Sequence, residues 1–440
     1  MPKFTTATLG CKVNQCESES IAQSLALSGW THAQKGSCAD LCIINTCTVT
    51  HKASMQSRQA IRHAMRLNPG AQIIVTGCYA ETEPDELKKI KGIHRIIGQN
   101  EKHRIFEIIK KEVNYNAPCS SVCEGGISEN GFMPAPAIHS GIRSRAFLKI
   151  QDGCDAFCSY CIVPYARGRS RSMPVEIVIE SIKNLRKAGY HEVVLSGIHL
   201  GRYGIDLTPE TSLSSLLSLI NGLKIIGRIR LSSVEPNELS PEIIKLAADS
   251  DSICHHFHIP LQSGDDNILS KMRRPYTREF FKTVVKRIKE SIPDASIGAD
   301  ILVGFPGETD SAFENTYSLI EELPVSYLHV FPFSPRNNTP ASSFPDRVPA
   351  EIVKERCAGM RKLGNLKKSF FYQKAVGTMV NVLIEDKRDA SNDLLKGTSS
   401  NYLSVHLHGQ DQIKNKMVKA RIDRIAGRFA VGTICSDIYT

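Results

Sequence analysis

The sequence predicts an α/β protein in three parts: an open parallel α/β domain, a central partial barrel of six βα units, and a small antiparallel β-barrel. Strand and helix patterns alternate over residues 3–113 and again over 145–370, whereas residues 372–440 carry only β patterns. Alternation favours a parallel sheet, and short strands separated by polar turns favour a small barrel. The predicted boundaries are 1–113, a linker at 114–141, 142–371 and 372–440.

Composition and charge narrow the class of protein. Of the 440 residues, 41% are apolar and 23% are charged, which is typical of a globular protein. The formal net charge of +10 suits a polyanionic partner, although many enzymes are mildly basic. The fourteen cysteines follow no apolar leader segment, so we expect a reducing cytoplasm and no disulfide framework. No run of about 18 apolar residues occurs, so we expect no membrane span.

The amino-terminal domain places three cysteines at one predicted edge. Strands are predicted at 4–9, 41–45 and 73–76, with helices at 17–28, 52–67 and 84–90. Cys11, Cys47 and Cys78, called the dispersed triplet below, each follow one of these strands. Because the carboxyl ends of parallel strands share one edge of the sheet, the three cysteines are predicted to converge.

The central region predicts an incomplete barrel. Eleven of the 28 residues at 114–141 are Gly, Pro or Ser, which indicates a linker before it. The predicted strands are 146–150, 192–196, 228–233, 255–260, 296–303 and 327–331. The predicted helices are 174–188, 213–223, 241–248, 278–291, 311–323 and 350–374. Six strands fall short of the eight of a closed βα barrel.

The carboxyl-terminal segment predicts a small β-barrel with strands at 379–384, 402–407, 418–425 and 428–433. Residues 374–440 contain ten Lys or Arg against seven Asp or Glu. Barrels of this kind often bind RNA, but a net charge near +3 is equally compatible with a structural appendage.

Cys154, Cys158 and Cys161, called the tight triplet below, have the spacing Cys-x3-Cys-x2-Cys directly after the first barrel strand. Active sites of barrels lie at that end of the strands. Three thiolates are one fewer than a closed tetrahedral zinc site or a four-iron cluster requires, so each triplet predicts a metal centre with an open position. A zinc site completed by a distant residue is the alternative. The remaining cysteines, including Cys16, are interpreted as core or surface residues rather than ligands.

The tight triplet and its surroundings resemble the radical S-adenosylmethionine superfamily. Asp152-Gly153 precedes the triplet, Tyr160 lies beside its last cysteine, and Pro164-Tyr165 follows. The runs Ser-Gly-Ile-His-Leu-Gly at 196–201, Ser-Ser-Val-Glu-Pro at 232–236, Pro-Leu-Gln-Ser-Gly at 260–264 and Asp-Ile-Leu-Val-Gly-Phe-Pro-Gly-Glu-Thr at 300–309 resemble methylthiotransferases. So does the dispersed triplet in its own domain. The last part of the chain resembles their TRAM domain.

Three branches of that family differ in substrate. One modifies isopentenyladenosine in tRNA, one an aspartate of a ribosomal protein, and one threonylcarbamoyladenosine in tRNA. The run Thr-Leu-Gly-Cys-Lys-Val-Asn-Gln at 8–15 resembles the last branch, and His199 agrees with it. A sister methylthiotransferase and a non-catalytic iron–sulfur RNA-binding protein are the competing hypotheses. The complete motifs over 196–201 and 304–308 count against the latter.

The resemblance implies two [4Fe–4S] clusters and S-adenosylmethionine as cofactors. It assigns the dispersed triplet to an auxiliary cluster and the tight triplet to the cluster that cleaves S-adenosylmethionine. The implied reaction removes hydrogen from carbon 2 of adenosine 37 in tRNA and transfers a methylthio group to that carbon. The implied partners are tRNA, an electron donor of the flavodoxin or ferredoxin type, and a sulfur donor that the sequence does not identify.

Beyond the cysteines, the resemblance and the strand ends suggest further site residues, none of them assigned a catalytic role. Residues expected to contact S-adenosylmethionine are Tyr160, Gly197, Ser233, Glu235, Gln262, Gly304, Phe305, Pro306 and Gly307. Arginines near the tight triplet are expected to contact RNA phosphates, because Arg pairs well with phosphate. These are Arg143, Arg145, Arg167, Arg169 and Arg171.

Overall fold

The computed structural model describes residues 1–34, 36–99, 101–112 and 144–439, so the predicted linker lies outside the described residues. The chain divides into two compact units. Of the described residues, the first unit contains those up to 112, Phe147–Met173 and Ser334–Ser342, and the second contains 144–146, Pro174–Phe333 and those from Ser343 onward. In the described helices, no segment is both long enough and apolar enough to cross a bilayer.

The first unit contains a five-stranded parallel sheet in the order β2-β1-β3-β4-β5. Its strands are β1 (Lys3–Thr8), β2 (Thr31–His32), β3 (Leu41–Thr46), β4 (Gln72–Gly77) and β5 (Arg95–Ile97). The helices are α1 (Lys12–Leu27), α2 (His51–Leu67), α3 (Cys78–Thr82), α4 (Pro84–Lys88) and α5 (Ile105–Glu112). The sequence missed β2 and β5, which are too short to show an apolar period.

Both faces of this sheet are covered by helices. Successive strand residues point to opposite faces, so Ile43 packs with Ile21 of α1 and Ile109 of α5, whereas Ile44 packs with Ile61 of α2. This two-sided burial explains the apolar runs of the central strands β3 and β4. It also leaves the carboxyl edge of the sheet as the place where polar groups and thiols collect.

The segment that carries the tight triplet is short and mostly irregular. It contains β6 (Arg145–Lys149), β7 (Gln151–Asp152), α6 (Val163–Arg167) and β8 (Arg171–Ser172). The strands β7 and β8 pair antiparallel, with Gln151 opposite Ser172. The strand β6 runs from the second unit into the first.

The second unit contains the rest of the predicted partial barrel. Its parallel strands are β9 (Glu192–Ser196), β10 (Arg228–Leu231), β11 (His256–His258), β12 (Ser296–Val303) and β13 (Tyr327–Pro332). With β6 next to β9 and bridges joining the β10 and β11 segments, the strand order is β6-β9-β10-β11-β12-β13. The partial barrel predicted from the sequence is therefore confirmed.

The helices of the second unit follow the predicted positions, with one addition. They are α7 (Val175–Lys187), α8 (Leu213–Leu223), α9 (Pro241–Asp249), α10 (Asp266–Lys271), α11 (Arg278–Ser291), α12 (Asp310–Glu322) and α13 (Ala350–Lys374). Side chains of Ser212, Ser240, Asp265, Thr277 and Thr309 accept hydrogen bonds from the first turns of five of them. The sequence missed α10, whose six residues are too few for a helical period.

The last part of the chain closes into a barrel of β14 (Met379–Arg388), β15 (Leu395–Ser399), β16 (Ser404–Leu407), β17 (Met417–Ala426) and β18 (Phe429–Tyr439). Four neighbouring pairs are antiparallel, and the parallel β16–β18 pair completes the ring. The sequence missed β15, which is rich in polar residues and Gly.

This small barrel is fastened to the partial barrel by two buried arginines. Arg228 donates to the carbonyl of Thr398 at 2.8 Å, and Arg230 donates to that of Ser399 at 2.9 Å. Glu192 of β9 pairs with both arginines and is itself fully buried. Charged groups can be buried here because each is paired and hydrogen-bonded.

Candidate metal centre

The dispersed triplet lies at the carboxyl edge of the first unit's sheet. Cys11 follows β1, Cys47 follows β3 and Cys78 follows β4, and these three strands are neighbours. Strands in a sheet are about 4.8 Å apart, so the three turns are adjacent. Cys47 and Cys78 are buried, whereas Cys11 is exposed. The expected convergence therefore follows from the observed strand order.

The close approach of these turns depends on glycine at position 10. Gly10 has φ of +97°, and a Cβ at this position would lie 2.8 Å from the Sγ of Cys47. This thiol is thus packed directly against the backbone that carries Cys11. Any side chain here would occupy the space beside the thiols.

Burial is the main influence on the pKa values of the two buried thiols. Burial raises the pKa of Cys47 to about 12, with a further rise from Cys78 and Cys11 and a partial offset from Arg167. Burial also raises the pKa of Cys78, and Arg167 again opposes it. The mutual influence of the three thiols reflects their proximity, and a metal that binds them would keep them deprotonated.

Arg167 is part of a buried charge network, named here the Glu17 network and formed by Glu17, Lys102, Lys149, Asp152 and Arg167. Each of the five side chains is at most 6% exposed. Arg167 donates to Glu17 at 3.0 Å and to Asp152 at 2.8 Å, and Lys149 donates to the same two residues at 2.9 and 3.0 Å. Three cations and two carboxylates leave this network with one net positive charge.

The Glu17 network extends to the backbone of the dispersed triplet. Lys102 pairs with Glu17 and donates to Asn45 at 2.9 Å. Asn14 accepts from Arg167 and donates to the carbonyls of Leu9 and Thr46. These carbonyls lie just before Cys11 and Cys47, so the charge network holds the two turns in place.

The tight triplet lies on the loop between β7 and α6. The amide of Cys154 donates to the carbonyl of Gly168 at 3.1 Å, and that of Cys161 donates to Cys158 at 3.0 Å. Gly153 has φ of +73°, and a Cβ there would lie 1.9 Å from the carbonyl oxygen of Arg169. Cys158 is buried, and the other two cysteines are partly exposed.

The two triplets belong to the same unit, and α6 connects them. This helix begins two residues after Cys161 and packs against α3, which begins at Cys78. Arg167, its last residue, interacts electrostatically with Cys78 and Cys11. The structure thus brings the helix that follows the tight triplet against the dispersed triplet.

The expected S-adenosylmethionine residues of the second unit lie at strand ends. Gly197 follows β9, Ser233 follows β10, Gln262 follows β11, and Gly304 follows β12. Glu235 pairs with Arg274, and burial raises the pKa of its carboxyl. Tyr160 belongs to the first unit and is partly buried.

In the loop Gly304–Gly307, the glycine backbone forms a turn and the side chains of Phe305 and Pro306 are buried. The amide of Gly304 donates to Glu308 at 3.0 Å, which fixes the turn. Phe305 is fully buried and packs edge-on against Phe333 and Phe344. The Phe305 ring therefore belongs to the core, and the expected approach of this residue to S-adenosylmethionine stays a prediction for its backbone. Pro306 is buried as well, and Gly307 is partly exposed.

The arginines near the tight triplet have different surroundings. The expected phosphate contact by Arg167 is wrong, because this residue is 3% exposed and is paired with Glu17 and Asp152. Arg171 pairs with Asp152 at 3.1 Å, and the exposed Arg169 with Asp155 at 3.2 Å. Arg145 lines a cavity of the second unit. Arg143 lies outside the described residues.

Cys16 is a buried residue of the core of the first unit. It is buried on α1, its thiol donates to the carbonyl of Phe147 at 3.3 Å, and burial raises its pKa to about 12. Cys42 lies in the core of the same unit. Cys119 and Cys123 lie outside the described residues.

Two family models match the chain. A model of the uncharacterized protein family UPF0004 matches residues 3–98, and a model of the radical SAM superfamily matches residues 148–320. A structure of the radical S-adenosylmethionine methyltransferase TsrM from Kitasatospora setae covers 78% of this chain and 74% of its own, with a TM-score of 0.54. At 16% identity, it shows a shared fold only.

Relatives of known name match nearly the whole chain. Threonylcarbamoyladenosine tRNA methylthiotransferase MtaB of Bacillus subtilis (strain 168) is 37% identical over 94% of this chain and 92% of its own. MtaB of Aquifex aeolicus (strain VF5) is 36% identical over 96% of this chain and 100% of its own. The chain belongs to the radical S-adenosylmethionine methylthiotransferase family, MtaB type. The tRNA-2-methylthio-N(6)-dimethylallyladenosine synthase of Clostridium novyi (strain NT) is less similar, with 32% identity over 96% of this chain and 94% of its own.

The cofactors of this methylthiotransferase family are two [4Fe–4S] clusters and S-adenosylmethionine. The dispersed triplet fits a cluster, because it combines three thiols at one sheet edge with a turn that a Cβ at Gly10 would obstruct. The tight triplet fits a second cluster, because three thiols on one loop are the usual donors to iron and sulfur.

A Gly10→Ala substitution is expected to lower the iron content of the methylthiotransferase. The new methyl group would displace the Sγ of Cys47, from which an ideal Cβ is 2.8 Å away. Gly29→Ala is the matched control, because Gly29 has φ of +86° and nothing within 4 Å of its Cβ position. Both variants incur the left-handed backbone cost of about 1–2 kcal/mol. Equal iron in both reconstituted variants would contradict the role of Gly10.

Proposed function

We propose that this protein inserts a methylthio group at carbon 2 of N6-threonylcarbamoyladenosine at position 37 of tRNA. The observation that carries the proposal is the presence of two separate three-thiol sites in a chain that matches MtaB proteins along almost its full length. The higher identity to MtaB proteins than to dimethylallyladenosine synthases favours threonylcarbamoyladenosine over isopentenyladenosine.

The residues of the chain have distinct roles in this proposal. Cys154, Cys158 and Cys161 would hold the cluster that binds S-adenosylmethionine, and the dispersed triplet would hold the auxiliary cluster. With S-adenosylmethionine bound, these groups supply radical chemistry that can activate the unreactive aromatic C–H bond, which acid–base side chains cannot do. The protein would hold the thiols close together. The Glu17 network, with one net positive charge, would offset part of the negative charge of the thiolates.

The strand-end residues of the second unit would orient S-adenosylmethionine. The backbone of the loop Gly304–Gly307 is held by Glu308, whose carboxylate also accepts from Arg356 at 2.7 Å. Gly197, Ser233, Glu235 and Gln262 lie at the ends of neighbouring strands, with Tyr160 in the first unit. Such preformed positions bind a cofactor without a large ordering cost.

The proposed partners follow from this reaction. The substrate is tRNA, and the net charge of +10 favours binding to it. The small barrel at the carboxyl end would contribute to RNA binding. A flavodoxin- or ferredoxin-like protein would donate electrons, and a further component would replace the sulfur used in each turnover. The cytoplasm is the proposed location of the protein.

Nucleoside mass spectrometry of tRNA tests the proposed substrate. A strain without the gene is expected to lose 2-methylthio-N6-threonylcarbamoyladenosine and to retain the unmethylthiolated nucleoside. The isopentenyl derivative in the same sample serves as the internal control and should not change. An unchanged amount of the threonylcarbamoyl product, with loss of the isopentenyl product, would establish the sister activity instead.

A further inference from the structure

A groove of about 1080 Å³ runs along α2 in the first unit. One wall is α2, and the other is α4 with the turn that follows it. Met65 and Ile90 pack against the core and form an apolar floor. The turn lies against α2, because a Cβ at Gly92 would be 3.5 Å from the sulfur of Met65. The volume exceeds that of most small-molecule sites, which suits a groove for part of a macromolecule.

The lining of the groove carries an excess of positive charge. Its cations are Arg58, Arg62, Arg66, Lys89 and Lys91, and its carboxylates are those of Glu83 and Glu86. Glu86 pairs with Lys89, and Glu83 pairs with Arg336, which does not line the groove. Both carboxylates are therefore already compensated. Among the described residues, the other four cations of the lining have no carboxylate within ion-pair distance.

The charges of α2 carry a cost that a helix facing only solvent would avoid. Its 17 residues include four Lys or Arg and no Asp or Glu. Arg58, Arg62 and Arg66 are spaced by four residues, and like charges at that spacing destabilise a helix. The first turn contains Lys52 and lacks the acidic residue that the helix dipole favours. An anionic partner along the helix would replace this repulsion with attraction.

The three arginines form a row that leads away from the dispersed triplet. Four residues of helix rise about 6 Å, so the row is about 12 Å long. Its near end is tied to the triplet, because Arg58 donates to the hydroxyl of Tyr79 at 2.7 Å and Tyr79 follows Cys78. The hydroxyl of Ser57 accepts from the amide of Cys47 at 3.2 Å and donates to its carbonyl at 2.9 Å. The groove therefore begins beside the candidate auxiliary cluster.

A nucleic-acid backbone suits this row better than a small anion or a protein does. It presents a phosphate at every nucleotide, and Arg and Lys bind these phosphates whatever the base sequence. The row extends over about 12 Å, so a single phosphate could not contact all of it. The proposed reaction also requires the substrate base to reach the dispersed triplet, where the groove begins. An acidic electron donor has no such requirement, since its electron goes to the tight triplet's cluster.

We propose that Arg62, Arg66 and Lys91 bind phosphates of the tRNA backbone near the modified nucleotide. This inference rests on the proposed function and adds to it an RNA-binding surface on the amino-terminal domain. The three side chains are exposed and have no ion-pair partner among the described residues, so they can bind phosphates without losing one. Arg58 is partly buried and held by Tyr79, and it completes the near end of the row.

Salt-dependent binding of tRNA to the reconstituted holoenzyme tests this inference. Anaerobic fluorescence anisotropy gives the affinity for tRNA that carries threonylcarbamoyladenosine at several KCl concentrations. The Arg62→Gln/Arg66→Gln variant should bind about ten-fold more weakly at low salt. Its slope of log affinity against log salt should be smaller by about 1.5, because each lost phosphate contact removes about 0.7–0.9. Lys91→Gln should reduce the slope by about 0.8.

Lys3→Gln/Lys110→Gln is the matched control, because it removes the same two charges from exposed positions of the same unit. Neither residue lines the groove, and Lys110 lies on α5, which covers the opposite face of the sheet from α2. The control should keep both the affinity and the slope. Equal losses in the two double variants would reflect net charge alone and overturn the inference.

Formation of 5′-deoxyadenosine without RNA, driven by dithionite or by reduced flavodoxin, shows whether the groove serves an electron donor instead. An arginine variant with wild-type RNA binding and slower flavodoxin-driven formation overturns the inference in favour of an acidic protein. Wild-type RNA binding by the variant, together with turnover of the tRNA by the wild type, overturns this inference alone. A wild type that binds the tRNA through the groove without converting it supports the groove and overturns the proposed function.

Discussion

A Cys158→Ala variant is expected to form no 5′-deoxyadenosine from S-adenosylmethionine and no methylthiolated tRNA. Cys158 is the buried member of the tight triplet, and its loss leaves two thiols on a loop that needs three for a site-differentiated cluster. The variant should retain the iron bound by the dispersed triplet, about four of about eight iron atoms per chain. Anaerobic reconstitution, iron analysis and chromatography of the nucleoside product provide the readouts.

The control for this variant is Cys357→Ala. Cys357 is also buried, at 2% exposure, but it lies on α13 in the other unit. It should keep both its iron and its product formation. If Cys158→Ala still produced 5′-deoxyadenosine, the tight triplet would not be the cleavage site.

A Glu17→Gln variant is expected to lose about 3–5 kcal/mol of folding free energy. Glu17 is 2% exposed and faces three buried cations, Lys102, Lys149 and Arg167. Burial alone would raise the pKa of its carboxyl, but the three cations hold that pKa well below its usual range. Without the carboxylate, the network would contain three buried cations and only Asp152 as a counter-ion. Urea denaturation of the variant and the wild type measures the loss.

Two further variants separate the Glu17 network from ordinary surface pairing. Glu107, whose side chain is 43% exposed, pairs with Arg104 at the surface. Glu107→Gln should therefore lower the folding free energy by at most about 1 kcal/mol. Adding Lys102→Met to Glu17→Gln removes one uncompensated cation and should recover part of the stability. A Glu17→Gln variant as stable as Glu107→Gln would contradict the role assigned to the network.

The strands and loops that carry the two triplets could be predicted from the sequence, because they depend on local patterns of residues. Apolar runs predicted β1, β3 and β4, and the thiols at their ends could be assigned to one edge because parallel strands share it. The spacing of the tight triplet predicted its loop. The six strands of the partial barrel were predicted from short β-like segments that alternate with helical patterns, although β10 and β11 contain charged or imidazole side chains.

The Glu17 network could not be predicted, because its members have no common local signal. Glu17 lies on α1, Lys102 follows β5, and Arg167 ends α6, and only the packing of the first unit brings them together. A lone Glu or Lys in a helical pattern usually indicates a solvated face. A weak signal was available at Lys149 and Asp152, which are charged residues at the ends of the short strands β6 and β7.

The cavity of the second unit that Arg145 lines was hidden from the sequence for a related reason. Arg145, Tyr327 and Lys368 belong to three elements far apart in the chain, and basic residues of α13 read as an exposed face. The motif around Phe305 did not show that its ring fills the core, because the same motif suggested a cofactor contact. Motifs indicated which segments matter, but not which atoms face a ligand.

The central claim is that the two cysteine triplets hold two independent iron–sulfur clusters. Iron analysis of three anaerobically reconstituted proteins tests it most directly: the wild type, the Cys11→Ala/Cys47→Ala/Cys78→Ala variant and the Cys154→Ala/Cys158→Ala/Cys161→Ala variant. We expect about eight iron atoms per wild-type chain and about four in each variant. A dispersed-triplet variant that keeps all the iron of the wild type would contradict the claim.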